Sequence, residues 1–545
     1  MYHAHISTGE LHLRPVLNLK DENDRVLFRR VAEETARLVK KHRGSLSGEH
    51  GDGRLRGEFI PLLFGEKVYG LMQETKVCWD PEGVFNARKI VNTPPMDTSL
   101  RYEVGDSDVA CRTYFDFSKE KGWLCAIEQC NGSGDCRKSY AFGGTMCPSF
   151  RATREESHTT RARANTLREL ITHPRTKKIY DQREILEVLD TCVSCKACKS
   201  ECPSNVDIAR FKAEFLQQHY DVCGVPMKAF LIARLTEIQR LGTILPWFYN
   251  AIVRNRMTGN MLKRVLHFAP KRTIPTLYKT TLKHWLGRYR QKNRAETVRK
   301  VFLFADEFTN YMDVEIGIKM IELLDWLGYE VIIPKHVESG RTSISKGMLK
   351  VAKGVARENV LLLKDLVTEN IPLVGIEPSC ILSFRDEYPD LVGEDLKEEA
   401  VRLGKNCLLY DEFFIREIRA GRIQAEQFTD QPLKIMLHGH CHQKSLASVE
   451  PSREMLSLPV NYSVEVIPSG CCGMAGAFGY EKKHYELSMK IGEQVLFPAV
   501  RGAGENVCIS APGTSCRQQI KDGTGKQALH PIEVLYEALK CTKEK

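Results

Sequence analysis

The chain has 545 residues, 42% of them hydrophobic and 27% charged, with 79 Lys and Arg against 69 Asp and Glu for a net charge of +10. This balance describes a folded protein of several domains and excludes disordered, collagen-like and fibrous classes. It contains no apolar run of about 18 residues and no basic stretch leading into an apolar one with a cleavage site, so neither a spanning helix nor a secretory signal is predicted and a cytoplasmic location is expected.

Periodicity and punctuation divide the chain into residues 1–98, 99–225, 226–300, 301–430 and 431–545. The first segment carries a helical pattern over Asp24–Lys41 and a glycine-rich stretch, Gly44-Ser-Leu-Ser-Gly-Glu-His-Gly-Asp-Gly. His5 and His12 stand seven apart across a glycine turn, and Glu49-His50 adds a carboxylate and a third imidazole. Two His and one Glu form a reasonable ligand set for zinc or another divalent ion with open positions; the competing reading is ordinary loop histidines.

Nineteen cysteines are many for a reducing compartment, where disulfides are not retained. Eight of them, Cys125, Cys130, Cys136, Cys147, Cys192, Cys195, Cys198 and Cys202, cluster in the second segment. Cys192-Val-Ser-Cys-Lys-Ala-Cys-Lys-Ser-Glu-Cys202-Pro is C-x2-C-x2-C-x3-C-P, the bacterial ferredoxin spacing, in which the fourth thiolate serves a second cluster. Structural zinc is the alternative, and zinc motifs seldom carry this run. The crossed pairing predicts one [4Fe–4S] cluster on Cys192, Cys195, Cys198 and Cys147. A second cluster falls to Cys130, Cys136 and Cys202, with Ser133 where a fourth thiolate is due. That cluster is either [3Fe–4S] or a cubane completed by Ser133, Cys125 or water.

Lys228–Lys300 carries 17 Lys and Arg against two acidic residues, Glu237 and Glu296. No zinc-finger, helix-turn-helix or RNA-binding pattern accompanies this patch, so nucleic acid is not the expected partner. Its apolar–basic stretches fit either an amphipathic segment on an anionic membrane surface or a solvated connector.

The last two segments read as copies of one strand–helix–strand unit, which implies βαβ topology and parallel sheet. Val301–Asp306 and Ile435–His440 open them, and Cys380 answers Cys516. In the second copy Cys441, Cys471, Cys472 and Cys516 fall one group per predicted strand end, where a parallel sheet builds its sites. In the first copy the matching places hold Glu307, Glu338-Ser339 and Cys380, a single thiolate. His440 and His442 are read as packing or hydrogen-bonding groups.

The second copy resembles the CCG domains of heterodisulfide reductase and of the glycolate oxidase iron–sulfur subunit. Gly513 stands where that family's closing C-x-x-C has its first cysteine, which leaves a third [4Fe–4S] cluster and zinc both open. His5–Pro15, Ser47–Gly53 and Asp80–Lys89 resemble the C-terminal part of FAD-linked D-2-hydroxyacid dehydrogenases. In order and extent the whole chain resembles bacterial iron–sulfur D-lactate or D-2-hydroxyglutarate dehydrogenases. The implied fold is α/β multidomain: a partial FAD-oxidase cap of α+β type, a helical two-cluster ferredoxin-like domain and tandem α/β CCG repeats.

The resemblance also assigns roles. His5, His12 and Glu49 would bind a divalent metal, in this reading zinc; His50 would be the general base, Arg14 would hold the substrate carboxylate, and Asn86 would approach the flavin. It implies oxidation of a D-2-hydroxy acid to the 2-oxo acid, with electrons passing through the clusters to a quinone or cytochrome. No segment supplies a flavin pyrophosphate loop, so FAD is expected from an upstream domain or a partner chain. A chain that only transfers electrons beside a separate flavoprotein is the alternative.

Overall fold

The structure, a computed structural model, describes residues 2–104, 112–176, 178–290 and 299–540. Glu296, counted in the basic segment, lies outside the described residues. The chain forms two compact units, Met1–Val109 and Ala110–Lys545.

In the first unit β1 (Tyr2–His5) and β2 (Glu10–Leu13) form an antiparallel hairpin that pairs His5 with Glu10 and His3 with His12. Gly9 closes the turn at φ +67° and donates its N–H to His5 O at 2.9 Å. That left-handed position costs glycine nothing, because it has no Cβ to clash. The helix expected over Asp24–Lys41 is observed as Glu22–Lys41; the Asp21 carboxylate caps it by accepting from Asn23 and Asp24, and Lys40 and Lys41 end it. Acid at its start and base at its end both suit the helix dipole. Its Ala36 packs with Phe59 and Met96 in a small core.

In the second unit the cysteines lie among short helices, chiefly Pro148–Thr153, Thr160–Thr172, Ala197–Glu201 and Ile208–Cys223. The basic segment is helical as Met227–Ala233, Leu235–Gly242, Pro246–Arg254 and Arg256–Val265. Two parallel sheets follow. The first holds β3 (Arg299–Phe304), β4 (Tyr329–Ile332), β5 (Leu373–Gly375) and β6 (Cys407–Leu409), in the order β4-β3-β5-β6. The second holds β7 (Leu433–Leu437), β8 (Tyr462–Val466) and β9 (Val507–Ser510), in the order β8-β7-β9. In both, the chain leaves a central strand for one side and then crosses to the other, the relation expected of two copies. Val301, Leu303, Leu373 and Val374 are buried apolar strand residues, as strands covered on both faces require.

Segments that read separately share cores. One core runs from Phe115, Leu167 and Phe215 of the cysteine-rich region into Leu349, Phe384 and Tyr388 of the first α/β segment. A second joins Val301 and Met320 to Ile435, Leu437 and Leu535 of the last segment.

Ion pairs cross the same junctions. Asp116 meets Lys397, while Asp190 meets Lys483 at 2.7 Å and His484 at 2.8 Å. Burial raises both carboxyls, but hydrogen bonds from Lys397 and Ser118, and from His484 and Lys483, outweigh it and hold each at about 2. A carboxyl depressed in the folded state contributes stability above its unfolded pKa, and that stability is lost as pH falls through the folded value. Tertiary structure is therefore expected to weaken between pH 3.8 and about 2. Near-ultraviolet circular dichroism during acid titration checks this: Asp190→Asn should lower stability at neutral pH and flatten the acid limb, and an unchanged limb in that variant would refute the linkage.

Candidate functional site

The ligands expected from the sequence fall into three sets of side chains. In the first unit, β2 places Glu10 and His12 two residues apart and so on one face, and the hairpin register sets His5 opposite Glu10. His5 Nδ1 lies 2.7 Å from Glu10 Oε1 and 2.9 Å from His12 Nε2. Glu49 Oε1 stands 3.3 Å from His12 Nε2 and 3.7 Å from His5 Nδ1. Ligand atoms of His5, Glu10, His12 and Glu49 thus all lie within 4.8 Å of one another. Two imidazole nitrogens and two carboxylate oxygens converging this closely are the donor set of a divalent cation, so the residues fit one.

The sequence reading brought His5, His12 and Glu49 together and missed Glu10. Strand alternation from His12 was the available signal. His50 Nε2 lies 3.1 Å from the same Glu49 oxygen, leaving Nδ1 on the other side of the ring. Arg14 is exposed just past β2, and Asn86 is exposed with φ +47° after the loop closed by Asp80, which accepts from Val84 and Phe85. Among the described residues no hydrogen bond ties Arg14 or Asn86 to the histidine set.

In the cysteine-rich region Cys130, Cys136, Cys147, Cys192, Cys195 and Cys198 are buried and Cys202 is half-buried. Burial raises the Cys195 and Cys198 thiols well above the ordinary range, and nearby Cys147 adds to both. The Cys136 thiol is likewise raised by burial, then by Cys147 and Cys130. Ser133 is exposed, with its hydroxyl on the Asp135 carboxylate, and Cys125 is half-buried on the helix Trp123–Glu128.

Arg163 is the telling neighbour, and sequence reasoning missed it. Its guanidinium is 1% exposed and donates to Cys147 Sγ at 3.2 Å, Val188 O at 2.9 Å and Thr191 Oγ1 at 2.8 Å. No carboxylate pairs with it among the described residues. A buried cation needs an opposite charge, and thiolates bound to iron supply one where neutral thiols would not. These residues therefore fit an iron–sulfur cluster.

The third set lies at the carboxyl ends of the second sheet. Cys441 opens the helix Cys441–Leu446 after β7, Cys471-Cys472 follow β8, and Cys516 is third in the helix Thr514–Thr524 after β9. Their sulfurs run Cys441–Cys471–Cys472–Cys516 in a chain of hydrogen bonds. His438 brings a ring nitrogen within 4.8 Å of the Cys472 and Cys516 sulfurs. Lys444 donates to Ser469 O and Gly470 O and has no carboxylate partner among the described residues, a second cation set against thiolates. A Cβ built on Gly513 would lie 3.3 Å from Cys516 Sγ and 2.5 Å from His440 Cδ2. Position 513 thus borders the thiol set, with the His440 ring filling the space a side chain would take.

Cys441 also connects two sets. His442 Nε2 lies 3.0 Å from Ser194 O, and Ser445 Oγ donates to Cys195 O at 3.2 Å. The helix that begins at Cys441 is therefore bonded to the ferredoxin-type loop. In the first sheet the matching places converge too: Asp306, Glu307 and Cys380 lie within 4.8 Å of one another, and Glu307 accepts from Ser339 N and Oγ.

Beside Cys195, the buried Lys196 meets Asp386, Glu387 at 2.8 Å and Asp207 at 3.8 Å. Burial pulls the ammonium down, but Asp386, Glu387 and Asp207 outweigh it and raise it. Lys196→Met leaves Asp386 to Lys199 and Glu387 to Arg341 at 2.6 Å but removes the most buried cation between them, so it is expected to cost about 1–3 kcal/mol in denaturant unfolding. A loss under about 1 kcal/mol would place this pair with exposed salt bridges.

Comparison with known proteins follows this layout. Residues 1–90 match the family model described as FAD linked oxidases, C-terminal domain, and residues 129–207 match the 4Fe-4S dicluster domain. Over 98% of this chain the sequence is 26% identical to D-2-hydroxyglutarate dehydrogenase of Escherichia coli (strain K12), covering 56% of that protein. Over the same share of the chain it is 27% identical to D-2-hydroxyglutarate dehydrogenase of Pseudomonas putida, covering 55% of it. Over 43% of the chain it is 27% identical to lactate utilization protein A of Bacillus subtilis (strain 168), covering 98% of it. The chain spans about half the length of the D-2-hydroxyglutarate dehydrogenases it matches.

Proposed function

We propose that this chain is the metal-binding and electron-transferring part of an FAD-dependent dehydrogenase that oxidises a D-2-hydroxy acid, D-2-hydroxyglutarate or D-lactate, to the 2-oxo acid. The observation that carries the reading is the convergence of His5, Glu10, His12 and Glu49, with His50 against Glu49. When bound, a divalent metal there would polarise substrate oxygens, FAD from an upstream domain or a partner would accept hydride, and the clusters would carry single electrons.

The chain's own residues do the rest. His50 is held by Glu49 through Nε2, which orients Nδ1 to take the hydroxyl proton. Arg14 offers a planar fork for the substrate carboxylate. Cys192, Cys195, Cys198 and Cys147 hold one [4Fe–4S] cluster, and Cys130, Cys136 and Cys202 hold a second, of [4Fe–4S] or [3Fe–4S] type. Cys441, Cys471, Cys472 and Cys516 hold a further cluster or zinc. Arg163 and Lys444 balance the thiolate charge, and His442 and Ser445 keep the last two cysteine sets close. The final acceptor is a quinone or a cytochrome.

Among the described residues no helix is long and apolar enough to cross a membrane. The connector nevertheless exposes Leu241, Ile244, Trp247 and Phe248 among basic residues. In this reading it gives a cytoplasmic protein a peripheral contact with anionic lipid.

The test has two parts. Purified anaerobically, the chain should contain iron and inorganic sulfide in a ratio of one, or slightly below one where the second cluster is [3Fe–4S], and no flavin. Supplied with the FAD-binding half, it should oxidise D- but not L-2-hydroxyglutarate or lactate. Zinc in place of iron on Cys192–Cys202, or no D-specific oxidation by the assembled protein, would overturn the reading.

A further inference from the structure

A group of metal-ligating side chains lies outside the sites described above. Asp181, His219 and Cys223 each bring a ligand atom within 4.8 Å of the others. His219 and Cys223 stand four residues apart at the end of the helix Ile208–Cys223, so both project from one face, the spacing by which a helix presents paired metal ligands. Asp181 comes from the turn before the helix Arg183–Asp190, where its N–H donates to Lys178 O at 2.9 Å.

His219 is already set for coordination. Its Nδ1 donates to Tyr180 O at 2.8 Å, which fixes the tautomer and leaves Nε2 as the nitrogen with a lone pair. A ligating histidine almost always donates its other N–H to a carbonyl or carboxylate in this way. The ring also stacks on Phe215, with centroids 6.4 Å apart and planes at 12°. Tyr180 in turn packs against Trp123 and Phe215, each at 6.3 Å, so the carbonyl that orients His219 is anchored to the core.

The other two groups complete a mixed donor set. The Cys223 thiol is hydrogen-bonded to the Asp181 carboxylate, so sulfur and oxygen already face one another. Lys178 is close enough to act on the same sulfur and offsets part of the negative charge that a thiolate and a carboxylate bring together. Magnesium and calcium take oxygen ligands, whereas zinc takes sulfur, imidazole nitrogen and carboxylate oxygen in tetrahedral sites. Asp181 and Cys223 are exposed, which gives an ion a path from solvent.

We infer that Asp181, His219 and Cys223 bind one zinc ion, with water in the fourth position, and that this ion fastens the loop before Arg183 to the end of the helix Ile208–Cys223. On binding, the Cys223 S–H bond breaks, a Zn–S bond forms and the proton leaves to solvent. The helix Arg183–Asp190 leads into Cys192, and the helix Ile208–Cys223 follows Cys202. The ion therefore closes a loop of chain that contains the whole ferredoxin-type run, and a metal clip of this kind removes conformational freedom from the unfolded chain. The inference is independent of the proposed dehydrogenase reading.

The experiment dialyses the anaerobically purified full chain against buffered free zinc and counts zinc per chain. Parent and variants all carry His12→Ala, so that the hairpin site does not contribute. His219→Gln, Cys223→Ser and Asp181→Ala are each expected to lose one zinc, or to bind it more than about tenfold more weakly, with iron content and zinc-free melting temperature unchanged. Asp181→Ala and Cys223→Ser alter exposed positions and keep the test open should His219→Gln fail to fold. Zinc should also slow tryptic cleavage after the exposed Lys178 in the parent and not in Cys223→Ser. Equal zinc in parent and variants would overturn the site. So would zinc lost by Cys223→Ser but kept by Asp181→Ala, the mark of a lone thiol, or an equal loss in Cys78→Ser, the mark of adventitious binding to exposed thiols. Cleavage after Lys178 at a rate that zinc leaves unchanged would overturn the fastening of loop to helix.

Discussion

Cys198→Ser is expected to release the iron held by Cys192, Cys195, Cys198 and Cys147 and to unfold much of the second unit with it. Cys198 is 8% exposed, in the same core as Phe150, Leu167 and Phe215, which continues into Leu349 and Phe384. Without a cluster, the fully buried Arg163 is left facing neutral thiols, and an uncompensated buried charge costs several kcal/mol. Metal binding is therefore folding free energy for this region. Iron analysis should show about half of the ferredoxin-type iron gone, and thermal unfolding should shift down or lose cooperativity. Cys78→Ser, at an exposed cysteine of the first unit, should change neither. If Cys198→Ser kept its iron and its melting curve, the assignment of these four thiolates would fall.

His12→Ala should act on chemistry with little effect on stability. The site sits on a short hairpin with His5 and His12 exposed by 48% and 28% at the side chain, and none of its four ligands belongs to the small core around Ala36. Removing a direct ligand should reduce metal content and hydroxy-acid oxidation by more than the roughly 10–100-fold that loss of an outer hydrogen-bond partner costs. Metal analysis of the chain alone reads the first effect, and turnover with the FAD-binding half reads the second. Glu10→Gln should reproduce both, which tests the ligand the sequence reading missed; His42→Ala, beyond the end of the first helix, should change neither. A His12→Ala protein with full metal content would remove the site from the mechanism.

The two predictions differ in kind because the sites were legible in different ways. Iron–sulfur ligands must meet one cubane, so Cys192, Cys195, Cys198 and the Cys-Pro endings carry a spacing that identifies them without coordinates. The histidine set has no such spacing. His5 and His12 were readable from their shared motif, but Glu49 arrives from another loop, and Glu10 enters because the hairpin register puts it opposite His5. Arg163, Lys444 and His438 were hidden because a lone basic residue or imidazole reads as surface until burial is known. Position 513 is the converse. Its glycine reads as a missing ligand, and only the contact with His440 explains what occupies the gap.

What sequence alone determined were local and covalent constraints: a helix over Asp24–Lys41 from its apolar and basic pattern, parallel strands from alternating βαβ units, and cluster sites from cysteine spacing. Tertiary structure decided how the pieces share free energy. The cysteine-rich helices, the connector and both sheets form one unit because their apolar faces complete each other's cores, as Phe215 with Leu349 and Val301 with Ile435 show. The set of Asp181, His219 and Cys223 arises the same way, where the loop before Arg183 meets the end of the helix Ile208–Cys223. Such contacts depend on non-local geometry, since burial and desolvation are set by what packs against a residue and not by its neighbours in the chain.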